Sequence, residues 1–268
     1  MKDGYWVVRT YQAGAVGEKT KFWVPGPRPS KSSRKEKSEI RKQEQNEHSA
    51  VKQLARLINA NFIEGDWFLG LDYSPAGMER LVDWARKKGL DPEAEDETVR
   101  LDAIRSAAEH ELTLVLRRVK HSLAKEEQEQ LRYIAITSDM DGDTGEIVRV
   151  HHHLIVPRAV REVFVEKWKE LGHVAWSPLS KQDDYTPIAE YLLRQVRRIP
   201  DAKKYTRSRN LIVPKPKDRA VTSDAELRVP RGGKLLFRNE YKPGRPQYIR
   251  YTIPAKNTGQ PPPDEKTA

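Results

Sequence analysis

Two histidines placed two residues apart first point to chemistry here. Arg149-Val150-His151-His152-His153-Leu154-Ile155-Val156 holds three of the chain's seven histidines on a segment with strand character. Alternate residues of a strand share a face, so His151 and His153 project together while Val150, His152 and Leu154 project the other way. Two imidazoles on one strand face can hold one divalent metal ion. The triplet is internal and flanked by strand residues, which sets it apart from a tag-like terminal tract.

A second chemical group follows. In Asp183-Asp184-Tyr185-Thr186-Pro187-Ile188-Ala189-Glu190-Tyr191-Leu192-Leu193-Arg194-Gln195, Thr186 fits an N-cap and Pro187 a first helical position. Tyr191 then lies inside a helix, with Arg194 and Gln195 one turn on and Arg194 able to share its face. Between Arg194 and Arg219 stand ten Lys or Arg against two Asp. They are interleaved with Tyr205, Thr206, Ser208 and Asn210, hydrogen-bonding types suited to phosphate oxygens. A metal, a tyrosine and a basic segment together suggest phosphodiester cleavage. The metal would polarise the phosphate, Tyr191 would attack as nucleophile, and the planar fork of Arg194 would face the developing charge. Arg197, Arg198, Lys203, Lys204, Arg207 and Arg209 would hold the strand.

The elements that must position these groups read as follows. Residues 5–11 and 22–24 are short strands, followed by Pro25, Pro27 and Pro29 as breakers and a charged stretch over 30–45. Val51, Leu54, Leu57, Ile58 and Phe62 recur at helical spacing. Residues 66–73 form a strand stopped by Ser74-Pro75, and helices follow at 77–88 and 96–122. Residues 133–137, an acidic turn at 139–145 and the histidine strand make a β-hairpin. The turn lacks the glutamate that a calcium loop carries at its twelfth position. A helix over 158–171 and a strand over 173–176 lead to the tyrosine helix. His173 reads as structural. Two further strands, 234–237 and 247–253, precede a Pro-rich end with the composition of a disordered tail.

Composition narrows the class. The chain has 268 residues, a net charge of +10 and a pI near 9.6, which favours a polyanionic partner such as nucleic acid. It has no cysteine, so disulfides and thiolate metal sites are excluded, in keeping with a cytoplasmic location. No signal-peptide core or membrane span is present in the sequence, so no membrane partner is expected.

His151-His152-His153-Leu154-Ile155 resembles the histidine–hydrophobe–histidine motif of the HUH endonucleases, the rolling-circle initiators and relaxases, with histidine at the middle position. Phe68-Leu69-Gly70-Leu71-Asp72-Tyr73 resembles the first strand motif of the phage and plasmid replication-associated branch, with Gly70 at its first polar position. Tyr185 to Gln195 resembles that branch's single-tyrosine motif, with Arg194 where lysine is usual. Lys204-Tyr205-Thr206-Arg207-Ser208-Arg209-Asn210-Leu211 with Pro214 resembles a segment downstream of the tyrosine. Gln45-Asn46 through Asn61-Phe62 resembles one upstream.

The resemblance spans roughly residues 45–215. It implies an α+β fold, a central antiparallel sheet of about five strands with packed helices. It divides the chain into a basic N-terminal arm (1–45), a nicking domain (46–219) and a C-terminal extension (220–268). It also implies an enzyme, a nickase that cuts one DNA strand at a replication origin and keeps the 5′ phosphate on Tyr191. Mg²⁺ or Mn²⁺ would be held by His151, His153 and a third polar ligand. The usual place of that ligand holds Ser138-Asp139, so Asp139 is the choice, with Glu146 and Asp72 as alternatives. Single-stranded DNA, a host helicase and a polymerase would be the partners, since the chain has no helicase-like phosphate loop. The competing readings are a relaxase or transposase with the same chemistry, a non-catalytic DNA-binding protein of the same fold, and a zinc hydrolase. The last lacks a helical His-Glu-x-x-His pattern.

Overall fold

A computed structural model describes residues 4–25, 39–125, 131–197 and 203–253, with only the backbone of 39–48. The Pro-rich end lies outside the described residues. The chain divides into two units, residues 43–212 and the two terminal segments 1–42 with 213–268.

The 43–212 unit is built on an antiparallel sheet of order β6-β3-β5-β4-β7. Its strands are β3 (Trp67–Tyr73), β4 (Ile134–Met140), β5 (Ile147–Val156), β6 (Gly172–Pro178) and β7 (Thr206–Arg207). The helices are α1 (Glu39–Asn61), α2 (Pro75–Lys87), α3 (Glu97–Ser122), α4 (Arg161–Trp168) and α5 (Thr186–Arg194). The histidine strand β5 is central. It pairs with β3 from Trp67↔Val156 to Asp72↔His151, and with β4 from Ile134↔Ile155 to Ser138↔His151.

Strand alternation sorts the core into two layers. Leu69, Leu71, Leu154 and Val156 pack with Leu81 of α2, Leu112 and Val115 of α3, and Phe164 and Trp168 of α4. On the other side Ile134, Ile136 and Ile155 pack with Leu54, Leu57 and Ile58 of α1 and Ala189 and Leu192 of α5. Helices thus cover both faces, which is why β4 and the second half of β5 are buried on both sides.

Local chemistry sets the boundaries. Ser74 Oγ accepts from the Gly77 amide to start α2, and Asp96 accepts from Thr98 and Val99 to start α3. At α5 the expected pattern moves by one residue. Thr186 is the first helical residue, and Asp184 Oδ1 accepts its amide at 3.0 Å and its hydroxyl at 2.8 Å. The single helix expected over 158–171 is a 3₁₀ turn, Arg158–Val160, leading into the shorter α4.

The terminal segments form their own antiparallel sheet of order β8-β1-β2-β10-β9. It comprises β1 (Gly4–Ala13), β2 (Val16–Pro25), β8 (Lys217–Val221), β9 (Leu235–Arg238) and β10 (Gln247–Thr252). An arm and a separate extension are what the sequence suggests. The structure instead joins them, because β2 pairs with β10 and β1 with β8. The boundaries move accordingly to 42/43 and 212/213. No helix of the described residues is long and apolar enough to cross a membrane.

Candidate metal and nucleophile site

His151 and His153 share one face of β5, as strand alternation requires, and their Nε2 atoms stand 3.1 Å apart. His151 Nδ1 lies 3.0 Å from the Arg149 carbonyl oxygen. That contact makes Nδ1 the protonated nitrogen and leaves the Nε2 lone pair facing His153. The third polar atom at this point is Oε1 of Gln195, 2.9 Å from His153 Nε2. Gln195 follows the last residue of α5, and its carbonyl oxygen accepts from the buried Ser138 hydroxyl of β4 at 2.7 Å. That bond ties the end of α5 to the strand beside the histidines.

Tyr191 sits one turn before Gln195 on the same helix face. Its ring centroid is 5.8 Å from that of His153 and 6.1 Å from that of Phe68, and the residue is 41% exposed. The buried face of α5, Ala189 and Leu192, fixes the helix on the sheet and leaves Tyr191 at the rim. These side chains line a cavity of about 630 Å³ together with Asp72 and Gly70. Gly70 lies directly opposite His153 on β3, and its missing side chain keeps the floor beside the imidazole open.

His152 faces the other way. It is fully buried, with Nε2 2.8 Å from the Tyr73 hydroxyl and Nδ1 3.1 Å from Thr137 Oγ1. Burial first, then the charges of His151, His153 and Arg105, pushes it down to about 3. Burial and His151 likewise lower His153 to about 4, against upward pulls from Gln195 and Asp72. Both imidazoles are therefore neutral at physiological pH, the form that binds metal.

A stability prediction follows from His152. Its folded value is depressed below the ordinary 6.5, so below that pH the unfolded chain takes up a proton that the folded chain refuses. Stability is full above pH 6.5 and falls as pH drops toward 3, by about 1.4 kcal/mol per pH unit for this one group. Urea titrations in EDTA should show the wild type losing about 2 kcal/mol more between pH 7 and pH 5 than His152→Gln. Equal losses would count against a buried neutral His152.

The other expected site residues are distributed differently. Asp139 does not face the imidazoles. Its Oδ1 accepts from Arg105 at 3.1 Å and its Oδ2 from Arg197 at 3.1 Å, and the residue is 2% exposed. Arg105 also donates to the Thr137 carbonyl oxygen at 2.9 Å, and Arg197 also pairs with Asp102. Both lone-pair-bearing oxygens of Asp139 are thus committed to a buried ion network. Asp139→Ala should cost about 2 kcal/mol of stability, since it leaves Arg105 with Glu109 and Arg197 with Asp102 as their remaining carboxylates, and should leave Mn²⁺ affinity at the histidines within about twofold. A large loss of metal affinity in the folded variant would restore Asp139 as a ligand.

Of the two alternatives, Asp72 lies opposite His151 on β3 and lines the cavity, whereas Glu146 is exposed in the hairpin turn and does not. Arg194 does not line the imidazole cavity. With Lys203 and Lys204 it lines a neighbouring cavity of about 720 Å³, and its Nη1 is 3.9 Å from Asp143 of the hairpin turn. Arg197 also lines that cavity, but is held by its two carboxylates. Arg207 on β7 and Arg209 are exposed, and Arg198 lies outside the described residues. Tyr185 is buried among the core side chains of α1 and α5.

Comparison with known protein families, curated proteins and solved structures found no match.

No cluster of three or more His, Cys, Asp or Glu side chains suited to a metal ion occurs among the described residues. The donor set at this site is of another kind, two imidazole nitrogens and one amide oxygen. Two nitrogens each about 2.1 Å from one ion are about 3.0 Å apart when they meet it at a right angle, close to the observed 3.1 Å. Nε2 of Gln195 and Nδ1 of His153 are buried without a hydrogen-bond partner. The three converging atoms, two imidazole nitrogens and an amide oxygen, lie 3.1 and 2.9 Å apart in succession, a donor set that fits a hard or borderline divalent cation.

Sequence reasoning passed over Gln195. The sequence offers a carboxylate, Asp139, beside the hairpin at the usual third-ligand place. The available signal was the four-residue spacing from Tyr191, which puts both side chains on one helix face.

Proposed function

We propose that the 43–212 unit is a metal-dependent single-strand DNA nickase of the HUH type, working through a 5′-phosphotyrosine to initiate rolling-circle replication. The observation that carries this reading is the placement of Tyr191 against His153, at the rim of the cavity where His151 Nε2, His153 Nε2 and Gln195 Oε1 converge. A nucleophile beside a candidate cation site is the pairing that phosphodiester transfer needs.

His151, His153 and Gln195 would hold the ion. When bound, Mg²⁺ or Mn²⁺ would polarise a non-bridging phosphate oxygen and offset charge in the transition state. The residues of the chain do the rest. Tyr191 Oη forms the bond to phosphorus as the bond from phosphorus to the 3′ oxygen breaks. The phenolic proton passes to water, to which Tyr191 is 41% exposed, and the leaving 3′ oxygen takes one up. The 5′ phosphate stays on Tyr191, so the energy of the broken bond is retained and attack by a 3′ hydroxyl reverses the step. Phe68, packed against both His153 and Tyr191, fixes the angle between nucleophile and ligand. Lys203, Lys204 and Arg194 line an adjoining cavity in which the phosphates flanking the scissile bond would find cations. In this reading a host helicase unwinds the duplex and a host polymerase extends the released 3′ end.

The test uses a labelled pool of single-stranded oligonucleotides from the element that encodes the protein, with Mn²⁺, resolved by denaturing electrophoresis. A DNA-shifted protein band abolished by EDTA is the expected result. Metal binding at the histidines with neither adduct nor cleavage on any DNA would sink the nickase reading.

A further inference from the structure

The terminal sheet carries a feature that the nicking site does not use. Residues 1–42 and 213–268 hold 23 of the chain's 49 Lys and Arg but only 10 of its 39 Asp and Glu, net +13, which leaves residues 43–212 at net −3. The positive charge of the chain therefore belongs to the unit without the histidines.

Part of that charge is gathered in a cleft of about 790 Å³ on one face of the sheet. Cross-strand register builds it. Lys217 of β8 and Lys19 of β2 lie on either side of Thr10 of β1, and Arg219 and Lys21 on either side of Val8. Directly paired residues share a face, so four cations line one side of three adjacent strands. The segment after β8 supplies the opposite wall, including Arg228 and Glu226.

The acids near the cleft are already matched. Asp218 takes Arg9 at 2.7 Å, Glu226 takes Arg238 at 2.6 Å, and Asp224 takes the buried Lys21 at 2.8 Å. Lys19, Lys217, Arg219 and Arg228 have no carboxylate partner among the described residues. Lys19 donates instead to the Arg228 carbonyl oxygen at 3.0 Å and lies 5.5 Å from the Tyr251 ring. Burial, and then the charge of Arg219, lowers its pKa. Uncompensated cations facing one open cavity favour an anion with several charges along its length.

We infer that this cleft in the terminal sheet is a second, non-catalytic DNA-binding site, which grips the phosphodiester backbone through Lys19, Lys217, Arg219 and Arg228. The choice of DNA as the polyanion rests on the nickase reading; the cleft itself does not. It acts on affinity, whereas the histidine site acts on the bond.

The test is the full-length chain carrying Lys217→Gln with Arg219→Gln, two exposed side chains on an edge strand. Binding to a fluorescent single-stranded 30-mer is followed by anisotropy from 50 to 300 mM salt in EDTA, where no cleavage chemistry operates. The expected result is at least tenfold weaker binding at 100 mM salt and a log–log salt slope reduced by about 1.4, or about 0.7 per lost contact. Arg228→Gln, on the opposite wall, should weaken binding in the same direction and guards against a local folding defect in β8. Unchanged affinity and slope in both folded variants would overturn the inference. So would a cleft that serves a small anion, seen as inorganic phosphate raising the melting temperature of wild type but not of the double variant while DNA affinity stays equal. Because binding is read without chemistry, a loss here with normal adduct formation, or the reverse, separates this site from the nicking site.

Discussion

Tyr191→Phe protein, incubated with single-stranded DNA and Mn²⁺, should give no covalent adduct and lose at least about 10³-fold in cleavage rate, because the attacking oxygen is gone and no other tyrosine replaces it. Tyr185 is buried 3.4 Å from the Ser180 carbonyl oxygen and packs in the core. Tyr205 packs against that same core and Tyr73 lies on the other face of the sheet, bonded to His152. DNA affinity should stay within about twofold of wild type, since one exposed hydroxyl adds little to an interface dominated by phosphate contacts. Denaturing electrophoresis reads the adduct, and anisotropy reads the affinity. Residual adduct on the phenylalanine variant would move the nucleophile elsewhere. Loss of binding with the adduct would instead make Tyr191 a DNA-contact residue.

Gln195→Leu should lower Mn²⁺ affinity by about 10- to 100-fold and leave the fold intact. Leucine is close in volume to glutamine, and the anchoring bond from Ser138 goes to the Gln195 backbone carbonyl, which the substitution keeps. The side-chain amide nitrogen has no hydrogen-bond partner to lose. Gln195→Glu should bind Mn²⁺ at least as tightly as wild type, because a carboxylate oxygen replaces the amide oxygen at the same point. Isothermal titration with Mn²⁺ on the protein alone measures both, with no need for DNA. Equal affinity for all three proteins would remove Gln195 from the donor set and leave Asp72 as the side chain to test next.

The central sheet was legible because β-branched and aliphatic residues flank His151 and His153 on both sides, and because the helices that pack on it carry long apolar stripes. Leu101, Ile104, Ala108, Leu112, Val115 and Val119 repeat at helical spacing and fall in one helix. The tyrosine helix was legible from Pro187 and the apolar spacing after it. What was not legible depended on partners far apart in sequence. Asp139 reads as a free acid beside a turn, and only tertiary structure brings Arg105 and Arg197 onto its two oxygens. Gln195 reads as an ordinary polar residue, since an amide gives no charge signature. Helix periodicity puts Arg194 near the Tyr191 face, but its long side chain lines the adjoining cavity beside Asp143 of the hairpin turn, a partner no local pattern shows. Four of the five terminal strands were visible one by one, but β8 reads only as part of the basic segment, and the pairing across the whole chain was not visible, since no short-range pattern encodes it.

That pairing sets an order of events in synthesis. The β1–β2 hairpin leaves the ribosome ahead of the 43–212 unit, yet an isolated two-stranded hairpin is marginal in water, and its remaining partners begin only at Lys217. The intervening unit, with its own core and every strand partner within residues 43–212, can reach its folded state while the hairpin waits. A message cut short after residue 212 would yield the histidines and Tyr191 in a finished domain, attached to a hairpin that cannot close its sheet. Such a fragment would have a net charge of +4 in place of +10, with the histidines and Tyr191 on the part whose own charge is −3.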